Sequence, residues 1–514
     1  MQTSAANPVR GLDPCSSLRG GKLALAGLVL ALANFMVVLD TTIANVSVPN
    51  IAGGLAVAPS QGTWVITSYA VAEAITVPLT GWLARRFGPV RVFTLAMLSF
   101  GFWSAMCGFA PSLSALVVCR IMQGLSGGPM IPLSQTLLLR VFPPERAAAA
   151  IGLWAMTTVV APILGPILGG TICDTLSWPW VFYINVPPAV ACALVAARLL
   201  TACESAPVKV PVDVVGLGLL ITWVGAMQVM LDKGKDLDWF ASPFIVVLAL
   251  TAGFGFVCFV IWELTDANPI VDLRVFRHRG FTAGAITLAI GFGAYFGAIV
   301  LIPLWLQTNL FYTATAAGYA MAFNGVLAVV FSPIVARLTT RVDPRALVSF
   351  GLLLMAATGL MRTNFITGID FWSIALPNLV QGMAIPFFFV PLTGLALAAV
   401  DPVETASAAG LINFMRTTAG AVATSLVTTR WDSATTTMKS ELAWRLHDVA
   451  DFTGSLAGVS RDQALGQIDL LTTGQATMIA TNQMFFLTTI ALAFGATLIW
   501  LAPRPRGAIA MASH

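Results

Sequence analysis

Apolar residues run in long blocks along this chain, and the blocks are parted by short clusters of arginine, proline and glycine. A helix needs about 20 mainly apolar residues to cross the hydrocarbon core of a bilayer. Fourteen runs read as spans, with bounds of roughly 23–47, 62–84, 92–110, 113–138, 149–171, 180–200, 214–231, 243–263, 281–305, 315–337, 346–361, 372–398, 406–429 and 477–502. The pattern predicts an all-α integral membrane protein of fourteen spans.

The basic residues orient the spans. With the N-terminus in the cytoplasm, 18 of the 27 lysines and arginines fall in inside segments and seven in outside segments, Arg362 among the latter. Four of those seven lie in one loop, 430–476, where the positive-inside rule is weak. Both termini are therefore predicted to be cytoplasmic.

Weak internal repetition groups the spans. Gln123-Gly124 in "RIMQGLSGGPMIPL" is echoed by Gln381-Gly382 in "NLVQGMAIPFFFVPL", and "GWLARRFGPVR" (81–91) by "ARLTTRVDPRA" (336–346). Parallel repeats of this kind are built into secondary transporters, with the substrate site between halves. The predicted plan is a tail (1–22), a six-helix bundle (23–200) and a connector with two extra spans (201–280). A second six-helix bundle (281–502) with the outside loop 430–476, and a tail (503–514), complete it.

Composition narrows the function. Hydrophobic residues make up 57% and charged residues only 10%, where a soluble domain carries about 25% charged. A net charge of +4 held in membrane-flanking loops does not indicate a nucleic-acid partner. The seven cysteines form no CxxC pair and read as small hydrophobes, and the three histidines form no metal motif. No phosphate-binding loop or catalytic constellation is present, so neither an enzyme nor a cofactor is expected.

What chemistry remains is charge within the spans. Asp40 stands in the outer half of the first, within "NFMVVLDTTIANVSVP" that also carries Asn34, and Arg120 stands at matching depth in the fourth. An ionised acid inside a bilayer costs about 2.5–3.5 kcal/mol on insertion scales. A nearby cation favours the charged form and desolvation opposes it, so alternation between such surroundings would load and release a proton. Asp40, Arg120 and, near the centre of the second span, Glu73 are the proton-coupling candidates, with Thr41, Thr42 and Asn45 as a polar shell for Asp40. Arg416 and Asn413 in the thirteenth span, with Asn34, Gln123, Gln381 and Phe388, are candidate substrate contacts. For Glu73 and Arg416 a purely structural role stays open, as it does for the aromatic residues Tyr295, Trp305 and Phe387–Phe389. Loop 430–476, with "TTMKSELAWRLHDV" as an amphipathic helix, reads as a partner-docking segment or as a cap folded on the helix ends.

At several places the chain resembles the major facilitator superfamily, and within it the 14-helix drug:proton antiporter group. The resemblance runs through "LDTTIANVSVP" (39–49), "WVITSY" (64–69), "GWLARRFG" (81–88), "RIMQG" (120–124), "APILGPILGG" (161–170), "WPWVFYINVPP" (178–188), "NPIVDLRVF" (268–276) and "NFMRTTAG" (413–420). It implies proton-driven efflux of hydrophobic drugs by alternating access, from the bacterial cytoplasmic (inner) membrane. A periplasmic adaptor and an outer-membrane channel are the implied partners. The fifth-span stretch is similar to the group's antiporter signature, so Pro162, Gly165, Pro166, Gly169 and Gly170 become the candidate conformational element. Their small, proline-interrupted face suits a helix on which two halves rock. Gly81, Arg86 and Gly88 match the superfamily's cytoplasmic gate loop, but Arg85 stands where an acid is usual, which leaves the latch without its carboxylate. A proton-coupled metabolite symporter or a uniporter of the same fold is the alternative.

Overall fold

The computed structural model describes residues 18–209, 211–401, 403–453 and 461–504, all of it helix and connecting loop without a strand. Residues 1–17, 454–460 and 505–514 lie outside the described residues, as does the side chain of Pro166. The helices are α1 Gly21–Gly54, α2 Trp64–Thr76, α3 Thr80–Phe87, α4 Pro89–Gly108, α5 Leu113–Val141, α6 Pro144–Thr175 and α7 Trp180–Leu199. There follow α8 Val214–Lys233, α9 Pro243–Thr265, α10 Arg279–Asn309, α11 Ala314–Leu338, α12 Pro344–Arg362, α13 Phe371–Ala398, α14 Thr405–Thr453 and α15 Arg461–Leu498.

Among the described residues eleven helices are long and apolar enough to cross a membrane, and a bent pair within α6 makes a twelfth. The runs that fall short have physical reasons. The second is broken around Pro78 into α2 and α3, because proline cannot donate to the turn before it. The thirteenth lies in α14, diluted by threonine and serine. In α6 the axis bends by 46° between Pro162 and Ile167, where the sequence has proline at 162 and 166.

Loop 430–476 is not a loop over its described part. At 1.5 Å per residue the 49-residue α14 is about 74 Å long, more than twice the ~30 Å hydrocarbon thickness. It therefore runs well past any bilayer with α15 beside it. Trp431 donates to Thr481 Oγ1 at 2.9 Å, and Lys439 pairs with Asp469 at 2.8 Å to hold the two together. This end of the molecule is the hairpin end. The opposite end carries Arg85, Arg91, Arg341 and Arg345 and is the arginine end.

Helices α1–α7 pack as one group and α10–α15 as another, with α8–α9 beside them. Between the groups α6 lies along α11, where a Cβ on Gly318 would sit 3.0 Å from Ile167 Cγ1. At the arginine end α14 meets α3: Gly81 faces Ser407, whose Cα would lie 2.8 Å from an added Cβ. Further along, Asn413 donates to Gln135 Oε1 at 3.0 Å.

Five cysteines, 107, 119, 173, 192 and 258, are free thiols, but Cys203 is disulfide-bonded and so is not one of the plain hydrophobes the sequence suggested.

Candidate functional site

Four helices build the polar centre of the first group. Asp40 sits mid-way along α1 and is 1% exposed; Arg120 on α5 is 0% exposed. Arg120 Nη1 donates to Asp40 Oδ2 at 2.6 Å and to Gln123 Oε1 at 2.8 Å, while its Nε donates to the carbonyl of Val65 at 3.0 Å. The other carboxylate oxygen, Oδ1, accepts from Gln123 Nε2 at 3.0 Å and from Asn185 Nδ2 at 2.7 Å. The Arg120 guanidinium also lies over the Tyr69 ring at 4.2 Å, a favourable cation–π distance. Spacing explains the local arrangement: Arg120 and Gln123 are three apart on one helix, hence on one face, and that face meets α1.

Every hydrogen-bond partner of Asp40 is a donor. This set fits a carboxylate, which only accepts, and offers nothing to a carboxylic acid's O–H. Thr41, Thr42 and Asn45 do not form the shell. Thr41 bonds back to Val37 O, Thr42 to Val38 O and Leu39 O, and Asn45 is exposed. Threonine in a helix readily satisfies its hydroxyl on the preceding turn, which the sequence reading left out.

Asn185, absent from the sequence candidates, is 1% exposed and also donates to Ser104 Oγ at 3.3 Å. Its signal was present in "WPWVFYINVPP", a lone amide between aromatic residues and a Pro-Pro pair.

The remaining candidates lie elsewhere. Glu73 on α2 and Arg416 on α14 face each other across the groups as opposing charges, with no ion pair closed between them. Arg416 is 5% exposed and lies 5.8 Å from the Trp154 ring and 5.7 Å from that of Phe292. Asn34 is spent on α6, donating to Thr157 Oγ1 at 2.7 Å and Thr158 Oγ1 at 2.9 Å. Phe388 is fully buried against Gly291 and Phe389, a packing position rather than a pocket wall. Tyr295 and Trp305 are buried likewise.

Gln381 belongs to a counterpart cluster in the second group. Arg362 donates from Nη2 to Gln381 Oε1 and, at 2.7 Å, to Asn378 Oδ1. At 2% exposure Arg362 is not an outside loop charge. It is the last residue of α12, and its long side chain turns inward. Gln123 and Gln381, paired by the repeat, thus each hold an arginine, but only Arg120 has an acid.

In the antiporter stretch the glycines differ. A Cβ on Gly165 would fall 2.6 Å from Thr42 Cβ and one on Gly169 3.2 Å from Ile43 O, so these two let α6 lie against α1. Gly170 has nothing within 4 Å, and Pro162 is partly exposed at the bend. Overpacking typically costs about 1–3 kcal/mol. Gly165→Ala is therefore expected to lower the melting temperature in detergent by several degrees, while Gly170→Ala leaves it unchanged. Equal melting temperatures for the two variants would refute the packing assignment.

A carboxylate does meet the gate loop, as a helix cap and not at the place of Arg85. Gly88, at φ +90°, is faced by Glu204, which accepts from Val90 N at 3.2 Å and Arg91 N at 2.8 Å and so caps α4. In the repeat Asp343 takes the place of Gly88 and caps α12, accepting from Arg345 N at 3.0 Å. The Arg345 side chain bonded to it holds the Asp343 carboxyl below the usual carboxylate range. Arg86 lies over Trp82 at 5.4 Å and Phe87 at 5.6 Å.

His278, Asp401 and Glu404 bring ligand atoms within 4.8 Å, a cluster that sequence spacing did not show. Arg277 already fills it, 2.7 Å from Glu404 Oε1 and 3.5 Å from Asp401 Oδ2.

Comparison with known proteins gives a consistent result. Residues 30–424 match the family model described as Major Facilitator Superfamily. The chain is 42% identical over 498 residues to the Multidrug export protein EmrB of Escherichia coli (strain K12), covering 96% of this chain and 97% of that one. It is 45% identical over 495 residues to the Fatty acid resistance protein FarB of Neisseria gonorrhoeae, with 95% and 97% covered. Among solved structures, the human organic anion transporter MFSD10 (TETRAN) aligns over 92% of this chain and 100% of that one. Its TM-score is 0.56 at 14% identity, a likeness of fold alone.

Proposed function

Because the chain belongs to the major facilitator superfamily, we propose that it exports hydrophobic drugs and other toxic compounds, driven by protons, through alternating access of the α1–α7 and α10–α15 groups. It is a multi-pass membrane transporter rather than an enzyme. Relatives named for multidrug export and for fatty acid resistance support the efflux of apolar compounds.

One observation carries the proton coupling: the Asp40 carboxylate is buried beside Arg120 and ringed by donors. A proton there would set an O–H against these donors, so in this reading protonation state and helix arrangement change together. Glu73, facing Arg416 between the groups, is the auxiliary carrier in this reading. Arg416 and Asn413, where the groups meet, are the substrate contacts; Gln123, Gln381, Asn34 and Phe388 support helices rather than ligand.

The topology proposed is fourteen spans, counted as six, two and six, with the arginine end cytoplasmic. The long α14–α15 hairpin then projects from the opposite face of the inner membrane. Exposed Trp444, Leu470 and Leu471 on it offer apolar surface to a periplasmic adaptor, which would pass substrate to an outer-membrane channel.

The test is transport in liposomes under an imposed pH gradient, with a fluorescent hydrophobic dye followed in both directions. Dye is expected to move against the proton flux and to stop when a protonophore collapses the gradient. Movement with the protons would make the protein a symporter, and indifference to the gradient a uniporter.

A further inference from the structure

The α8–α9 pair sits where the two groups face each other. Helix α8 touches α2, with Val71 Cγ1 3.9 Å from a Cβ on Gly225, and touches α14, with the Trp223 and Phe414 rings 5.8 Å apart. At the hairpin end its last turn and the following loop bond to both groups. Toward α2, Thr67 donates to the Asp232 carboxylate, and Lys233 Nζ donates to Thr63 Oγ1 at 2.8 Å and lies 5.6 Å from the Trp64 ring. Toward α14, Ser425 Oγ donates to Leu231 O at 2.7 Å, Trp239 Nε1 donates to Thr429 Oγ1 at 3.1 Å, and Lys235 pairs with Asp432.

The loop between these bonds has no slack. Leu237 N bonds to Lys233 O at 3.1 Å and Trp239 N to Gly234 O at 2.7 Å, and Asp238 and Trp239 hold left-handed φ values of 54° and 51°. At the arginine end the linkers on either side of the pair are tied down as well. Val208 N bonds to Arg85 O at 2.9 Å and Trp82 Nε1 to Pro211 O at 3.1 Å, while Arg277 and His278 hold Glu404.

Helix α14 makes these ties one device. It carries Ser407 and Asn413 against α3 and α5 near one end, and Ser425, Thr429 and Asp432 against the loop near its middle. Positions 407 and 432 are about 38 Å apart along a continuous helix. A tilt of α14 about a point between Asn413 and Ser425 opens the arginine end only as it shifts the bonds at Ser425, Thr429 and Asp432.

We propose that the α8–α9 pair is a clasp holding the arrangement in which the arginine ends meet, with Lys235, Trp239 and their partners on α14 as positioning residues that set its population. The clasp releases on the α14 side. There the Lys235–Asp432 pair is 43% and 45% exposed, and exposed pairs are weak. Lys233, on the α2 side, is only 12% exposed. The proposal rests on the alternating-access reading, but the distance it predicts needs neither substrate nor protons, so the two fail separately.

The experiment is pulsed electron–electron distance measurement in nanodiscs on a background with the native cysteines replaced. Spin labels go on Arg146→Cys and Arg341→Cys, two exposed positions at the arginine end, one in each group. Lys235→Ala/Trp239→Phe/Asp432→Ala is expected to raise the long-distance population at least about fivefold. Lys235→Asp is expected to do the same, and the charge-reversed pair Lys235→Asp/Asp432→Lys to return the distribution toward the parent. Lys439→Ala, which breaks the Lys439–Asp469 pair higher on the hairpin, leaves it unchanged. An unmoved distribution in the monodisperse triple variant overturns the proposal. So does an equal shift in Lys439→Ala, or a charge reversal that fails to restore.

Discussion

Asp40→Asn is expected to bring gradient-driven efflux down to the empty-vesicle background. The carboxylate accepts from Arg120, Gln123 and Asn185, and all three partners meet it as donors. An asparagine there turns one accepting oxygen into an NH2 group among donors, which leaves a buried amide unpaired at about 1–3 kcal/mol. It also removes the one group whose protonation would loosen α1 from α5. Substrate affinity is a separate matter, because Arg416 and Asn413 lie on another helix. Dye binding to the detergent-solubilised variant should therefore stay within about fivefold, or 1 kcal/mol, of the parent. Efflux in proteoliposomes and binding by fluorescence anisotropy check the two halves of this expectation. Parent-like efflux, with its pH dependence kept, would show that Asp40 carries no coupling proton.

How much of this was legible in the sequence depended on range. Asp40 and Arg120 could be matched by depth because a span is a ruler of 1.5 Å per residue, and charge stands out in an apolar run. Asn185 could not be matched in the same way: an amide near a span boundary carries no charge to mark it, and its role depends on the turn at 184–185 within α7. Arg362 was misassigned for the opposite reason. It falls at the end of its span, where a count of loop charges takes it as exposed, yet the side chain is long enough to reach Asn378 and Gln381. Glu204 was hidden by distance, since a cap supplied from more than a hundred residues away leaves no local spacing to read. Within 430–476 the helix over "TTMKSELAWRLHDV" was legible, but its continuity with the thirteenth span was not, because the threonines and charges between them look solvated. Solvated residues can still continue a helix when a partner helix runs beside them, as Trp431 on Thr481 and Lys439 on Asp469 show.

Arg120→Gln is expected to be among the most destabilising single changes in the first group. The guanidinium is fully buried, bonds Asp40, Gln123 and Val65 O, and covers the Tyr69 ring. Its removal leaves the Asp40 charge buried with only two amide donors, and breaking such a pair from one side costs about 3–5 kcal/mol. The double variant Asp40→Asn/Arg120→Gln removes both charges, so its loss should fall short of the sum of the two single losses by at least about 1–2 kcal/mol. Transport stays absent in all three, which separates the structural use of the pair from its coupling role. Arg416→Gln supplies the contrast. That arginine is buried with Glu73 as its opposing charge but without a closed ion pair, and it meets the rings of Trp154 and Phe292, so its loss should cost less stability than that of Arg120 while abolishing efflux. Denaturant titrations in a common detergent, run on the four variants beside the parent, read out every term. If the losses of Asp40→Asn and Arg120→Gln are additive, the buried pair is not the unit that holds α1 to α5.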